Sequence, residues 1–165
     1  MTNAYDISLG REGDISGILL LQEANLAERG GGLAVRQTAD WYRRTIRDRS
    51  IVVGRQDCKV VGYVLGTSLA AKAHVIIVQT MLRSFPPPPD CYLYGPVCVA
   101  ETHRGKGIAG ALFKVLKTHM AGRPAMTFIR ADNISSLRAH RKMGMNELGA
   151  FVAEDVPYVA LGYGG

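Results

Sequence analysis

The chain has 165 residues, 20 Lys and Arg against 14 Asp and Glu for a net charge of +6, an apolar fraction of 47% and a charged fraction of 21%. This is an ordinary globular composition, and the length suits one domain able to build its own core without metal or disulfide staples. A membrane-crossing helix is excluded, because the longest uncharged stretch, residues 60–71, is broken by polar and glycine positions and falls short of the ~20 apolar residues that a crossing needs.

Residues 5–9 alternate as a first strand. After the turn signal at Gly10, the run Ile15, Ile18, Leu19, Gln22, Leu26 has helical spacing, with Glu12 and Asp14 at the positive end of the dipole and Gly30-Gly31-Gly32 as the stop. Thr38 is placed to cap a second helix through Trp41, Tyr42, Thr45 and Ile46. The β-branched runs 50–53 and 59–65, separated by the polar 55–57, predict an antiparallel hairpin. Residues 70–84 mix helix-favouring Ala70, Ala71, Ala73, Met81 and Leu82 with strand-favouring 75–78, and a short helix is the preferred reading. Pro86 to Pro89 form a stiff connection into a strand at 92–100, which Gly95-Pro96 interrupts and splays. Ile108, Ala111, Leu112, Val115, Leu116 and Met120 share a helical face that Gly122 and Pro124 close. A strand at 125–130, a helix capped by Asn133 and stopped at Gly144, and two strands at about 145–152 and 156–163 complete the chain.

No positive charge precedes an apolar core in residues 1–10, so no leader is read there, and a cytoplasmic location is the expectation. Cys58, Cys91 and Cys98 form no Cys-x-x-Cys pair and the four histidines are scattered, so no metal site is expected. Basic residues are spread along the chain, which argues against nucleic acid as a partner and suits a polyphosphorylated small ligand.

The chemistry concentrates at Arg104-Gly105-Lys106-Gly107-Ile108-Ala109, between a strand and the first turn of a helix. Glycines there can turn backbone N–H groups toward an anion, and the helix dipole with the side chains of Arg104 and Lys106 adds positive charge at the same spot. A nucleotide P-loop fits poorly, since Lys106 is followed by Gly107 rather than Ser or Thr. The dinucleotide pattern Gly-x-Gly-x-x-Gly is matched by Gly105, Gly107 and Gly110, with Asp132 placed to meet a ribose; it demands parallel strands throughout. Against it stand the short remaining chain and the antiparallel reading of 50–65.

The strand at Val97-Cys98-Val99, the loop 104–109, and Asn133-Ile-Ser-Ser136 through His140 to Met145 together resemble the acetyl-CoA-binding motifs of the GNAT N-acetyltransferase superfamily, over about residues 92–145. The resemblance implies an α/β fold spanning residues 1–165 as a single GNAT-like acyl-CoA N-acyltransferase domain, with a mixed central sheet containing a splayed strand and flanked by helices. It implies acetyl-CoA as cosubstrate and a primary amine, on a small molecule, peptide or protein, as acceptor. Val97, Cys98 and Val99 would offer backbone groups to the pantetheine arm, and the amides of Arg104, Gly105, Lys106, Gly107, Ile108 and Ala109 would hold the pyrophosphate. Asn133, Ser136 and His140 would contact the cofactor. Many members carry tyrosine where this chain has His140, so His140 is either the acid that protonates the departing thiolate or a cofactor contact, with Tyr94 as the competing donor. Glu23, Glu101 and Glu147 are carboxylates in plausible regions for a base. Trp41, Tyr42 and Tyr63 could line an acceptor pocket, and the long 70–90 segment is expected to cover that site or to form a contact within a homodimer. A noncatalytic acyl-CoA-binding module on the same fold is the alternative.

Overall fold

The computed structural model describes residues 5–164. Its strands are β1 (Asp6–Leu9), β2 (Ile51–Gln56), β3 (Lys59–Ser68), β4 (Tyr92–Val99), β5 (Ala125–Arg130), β6 (Asn146–Ala153) and β7 (Val156–Tyr163). They form one mixed sheet in the order β1-β2-β3-β4-β5-β7-β6. The helices are α1 (Ile15–Ala24), α2 (Ala39–Arg47), α3 (Ile76–Ser84), α4 (Ile108–His119) and α5 (Ile134–Lys142).

Two compact units are distinguished. The first runs to Leu65 and includes Pro96–His119; the second takes Gly66–Gly95 and the chain from Met120 onward. In the first, β1, β2 and β3 pair antiparallel around a core of Ile15, Ile18, Leu21, Tyr42, Ile51, Val53, Tyr63, Leu65 and Cys98. Gly62 lets α4 settle on this sheet: a Cβ there would stand 3.1 Å from the Cys98 carbonyl oxygen and 3.3 Å from Ile108. In the second, β4 pairs parallel with β5 through Tyr92 and Leu93, and β5, β7 and β6 run antiparallel. Its core joins α3 to the sheet through Val78, Met81, Leu93, Met126, Phe151 and Tyr158.

Antiparallel pairing on both sides of β4 rules out the dinucleotide fold, which needs parallel strands throughout. The expected caps are present: the Thr38 and Asn133 side chains accept from the N–H groups of Trp41 and Ser136, each at 3.2 Å. Gly122 and Gly144 hold left-handed φ of 73° and 93° after their helices.

Two local expectations are corrected, while the short helix preferred within residues 70–84 is present. The first helix ends at Ala24, before Leu26, because the Asn25 amide folds back to donate to the Leu21 carbonyl at 2.8 Å and a tight turn at Ala27–Arg29 follows. The hairpin turn lies at Asp57 and Cys58, with φ of 49° and 62°, and Arg55 is a strand residue rather than a turn residue. Arg55 stays in the strand because its buried guanidinium donates to Asp14 at 2.5 and 2.7 Å and to Asp6 at 3.2 Å. Residues 70–84 divide into a short turn at Ala70–Lys72 and α3, so the β-branched 76–78 is helical where tertiary packing of Val78 overrides its strand preference.

Candidate active site

In the first unit, β4 delivers Val97, Cys98 and Val99 in alternation. Cys98 turns its side chain into the core, 4% exposed, while Val97 and Val99 stay half-buried. Burial pushes the Cys98 thiol up to about 12, so it does not offer a thiolate, and its strand position leaves the backbone as its useful part. Gly95, with φ of 102°, and Pro96, which has no N–H, follow the two residues that pair with β5.

The loop then runs through a tight turn at Glu101–His103 into α4. Gly105 and Gly107 take φ of 72° and 77°, and a Cβ at either would meet open space, so it is the left-handed backbone rather than crowding that calls for glycine. Ile108, 2% exposed, anchors the helix start, while Lys106 is exposed. The first N–H groups of α4 have no partner within the helix, and they point with the dipole toward the loop.

Two details refine the cradle. The Arg104 N–H donates to the Glu101 carbonyl at 3.2 Å, so the donors free for an anion begin at Gly105. The Arg104 guanidinium donates to the Val99 carbonyl at 3.3 Å and to Asn25 Oδ1 at 2.7 Å. Both acceptors are neutral, so the charge is kept while the side chain is fixed. Asn25, at the end of α1, is a participant that sequence reasoning missed; 79 positions separate it from Arg104 and no local pattern links them.

In the second unit the structure brings Tyr94, Asn133, Ser136 and His140 together. Asn133 Oδ1 is occupied by the cap and by Ser135 at 3.2 Å. His140 is 3% exposed, and its Nδ1 lies 2.7 Å from the Ser136 carbonyl and 3.4 Å from the Ser136 hydroxyl. A carbonyl only accepts, so Nδ1 carries the proton and Nε2 of the neutral ring is bare. Burial lowers the His140 pKa despite the Ser136 carbonyl, which favours that neutral ring. The Tyr94 ring meets it edge-on at 5.5 Å between centroids, and burial raises the phenol's pKa, so Tyr94 keeps its proton.

Other expected residues lie elsewhere. Tyr42 and Tyr63 line no pocket: both are core residues whose hydroxyls meet at 3.2 Å, and Tyr42 donates to Gln22 Oε1 at 3.0 Å. Gln22 also accepts from the Gln37 N–H at 2.8 Å and donates to its carbonyl at 3.1 Å, and the Cys98 thiol donates to the Leu21 carbonyl at 3.9 Å. Glu23 is bound by Arg36, which lowers its pKa and makes it a poorer base, and Glu147 is bound by Arg141. Both carboxylate oxygens of Asp132 accept from Arg130, so the group expected to meet a ribose is engaged.

A glycine-turned loop at the head of α4, following a strand that pairs with β5 at its start, defines an α/β protein with a backbone cradle suited to a phosphate group. The sequence matches the acetyltransferase (GNAT) family over residues 20–145, and the chain belongs to that family. No curated protein matches it. Among solved structures it is similar to an N-acetyltransferase from Staphylococcus aureus Mu50, with 21% identity, a TM-score of 0.71 and 98% of each chain covered. It is also similar to a ribosomal-protein-alanine N-acetyltransferase from Brucella melitensis, with 20% identity, a TM-score of 0.70, and 96% of this chain and 98% of that one covered. A third is yncA from Salmonella typhimurium, solved with its cofactor acetyl-CoA, at 16% identity and a TM-score of 0.73, covering 98% of this chain and 94% of that one. The residues present fit acetyl-CoA as cosubstrate: positive φ at Gly105 and Gly107 and the open space beside them leave the loop amides free to approach a pyrophosphate. Among the described residues no helix is long and apolar enough to cross a membrane.

Proposed function

We propose that the protein is a cytoplasmic N-acetyltransferase that transfers the acetyl group of acetyl-CoA to a primary amine on a small molecule or peptide, by direct attack within a single catalytic domain. The observation that carries this reading is the left-handed pair Gly105 and Gly107 directly ahead of α4. Acetyl-CoA supplies an activated thioester. The amides from Gly105 to Ala109 hold its pyrophosphate, with Lys106 adding charge, while Asn133 and Ser136 contact the cofactor. Backbone groups of Val97, Cys98 and Val99 align the pantetheine arm, and an N–H of that strand polarises the thioester carbonyl as the neutral amine approaches. Tyr94, a protonated phenol, returns a proton to sulfur. His140, neutral and bonded through Nδ1, orients the Tyr94 ring. Water or the Glu101 carboxylate takes the amine's proton, since Glu23 and Glu147 are bound by arginines.

The test is a thermal-shift titration with acetyl-CoA, CoA, NAD and NADP, followed by thiol detection across a panel of amines. Ligand at 100 times its Kd adds about 2.7 kcal/mol, a shift that is easily seen. Stabilisation by the CoA compounds with thiol release on an amine is expected. Stabilisation by a nicotinamide cofactor instead would overturn the reading, and CoA binding without thiol release from any amine would leave the noncatalytic module.

A further inference from the structure

α4 lies over β1 and β2, and a trough of about 970 Å³ runs between its outer flank and β1. On the helix side Ala111, Lys114, Val115, Thr118 and His119 line it, one stripe at helical spacing. On the strand side the lining is unbroken from Ile7 to Arg11. Successive side chains of a strand point to opposite faces, so an unbroken run means that the backbone edge itself forms this wall. Among the described residues β1 is the last strand of the sheet, and that edge is unpaired. The Gly10 N–H donates to the Ile51 carbonyl at 2.9 Å, and the register then commits Ser8 and Asp6 to β2 and turns the backbone groups of Ile7 and Leu9 outward. The Leu9 carbonyl accepts from Arg55 at 3.2 Å, which leaves the N–H and C=O of Ile7 and the N–H of Leu9 facing the trough.

Charge here is one-sided. Arg11, Arg49 and Lys114 are exposed on the rim, and no lining residue is a carboxylate. Arg11 lies 3.7 Å from Asp6, whereas Arg49 and Lys114 make no ion pair among the described residues. The His119 imidazole donates from Nε2 to the Arg49 carbonyl at 2.8 Å and so pins the Arg49 turn to the end of α4. Between the cations the floor is apolar, formed by half-buried Ile7, Leu9, Ala111 and Val115.

We propose that the trough binds an acidic segment of another protein in extended form, added to β1 as a further strand. The helical stripe is about 12 Å long, the span of about four extended residues. Main-chain hydrogen bonds to Ile7 and Leu9 hold the segment, its carboxylates face Arg49 and Lys114, and an apolar side chain between them fills the space over Val115. Cations beside a sheet edge deter pairing with basic or neutral strands and admit an acidic one. None of these residues belongs to the proposed cofactor site, so the inference does not rest on acyl transfer.

The experiment is fluorescence anisotropy of the full chain with a labelled peptide of alternating glutamate and valine. Wild type is expected to bind it with micromolar Kd, and to bind the lysine–valine counterpart at least about 10-fold more weakly. Arg49→Glu/Lys114→Glu is expected to weaken the acidic peptide at least about 10-fold. Arg29→Glu/Lys59→Glu makes the same change of net charge on exposed residues off the trough, and is expected to stay within about two-fold of wild type. Thr118→Trp keeps the charge and obstructs the trough, so it is expected to weaken binding too, a second reading should the charge reversal unfold the protein. The acidic peptide N-methylated throughout cannot donate main-chain bonds and is expected to lose binding. Absence of binding to wild type, equal weakening by the two charge-reversed proteins, or equal affinity for the N-methylated peptide refutes the strand addition. Displacement of the peptide by free glutamate at equal concentration would make the trough a small-anion site and refutes it as well.

Discussion

Replacing Gly31 with alanine tests how the end of α1 is tied to the cofactor loop. A Cβ at Gly31 would lie 2.0 Å from the Asn25 carbonyl oxygen and 2.2 Å from its carbon, both backbone atoms with no rotamer to yield. The two segments must therefore part by about 1 Å, given that real Cβ contacts do not fall below 3.0 Å. That movement breaks the Leu33 N–H bond to the Asn25 carbonyl, 3.0 Å, and pulls Asn25 Oδ1 from the Arg104 guanidinium at 2.7 Å. At about 1 kcal/mol for the first bond and about 2 for the charge-assisted second, the expected loss is about 3 kcal/mol. For a chain of this size that lowers Tm by about 6–12 °C. Gly30 is the internal control: it has φ of 81° and nothing within 4 Å of a Cβ, so Gly30→Ala costs only the left-handed penalty of about 1–2 kcal/mol. Urea unfolding of both variants measures the difference, and calorimetry with CoA measures whether the freed Arg104 loosens the cradle. If Gly31→Ala costs no more than Gly30→Ala and CoA affinity is unchanged, the coupling of α1 to the phosphate loop is refuted.

Other outcomes follow from the same geometry. Gly107→Val forces a β-branched residue to φ of 77° and is expected to abolish CoA binding in calorimetry; unchanged affinity would remove the cradle. Tyr94→Phe is expected to cut turnover by about 10²-fold or more with CoA affinity retained, and His140→Gln by less; the reverse order would make His140 the proton donor. Asp14→Asn leaves the Arg55 guanidinium buried without its carboxylate and is expected to cost about 3–5 kcal/mol in urea unfolding. Burial alone would raise the Asp14 pKa, but hydrogen bonds from the Arg55 guanidinium and the Arg11 N–H hold it below its ordinary 3.8. Its stabilisation is thus complete above that value and fades as pH falls through the lower folded value, so wild type should lose stability in acid more steeply than Asp14→Asn.

What was legible in the sequence was local. Thr38, Asn133, Gly122 and Gly144 act within one turn of their own helices, and the glycines of 104–109 declare themselves by spacing. What escaped depends on partners far along the chain. Arg55 resembles a turn residue until Asp14, 41 positions away, is seen beside it. Likewise α1 has apolar spacing that continues to Leu26, yet the Asn25 side chain stops it by competing for the Leu21 carbonyl. Tyr42 and Tyr63 look like pocket aromatics, yet Tyr42 is bonded to Gln22 and the two hydroxyls to each other inside the core.

That buried contact has a direction. Gln22 Oε1 has no proton to give, so Tyr42 must give its own, and the Tyr63 hydroxyl must in turn give to Tyr42. The two tyrosines are consequently unequal although chemically identical. Loss of the Tyr63 hydroxyl removes the head of the queue and leaves the bond to Gln22 whole. Loss of the Tyr42 hydroxyl breaks the queue in the middle, stranding the proton of Tyr63 and a lone pair of Gln22 together in a dry interior.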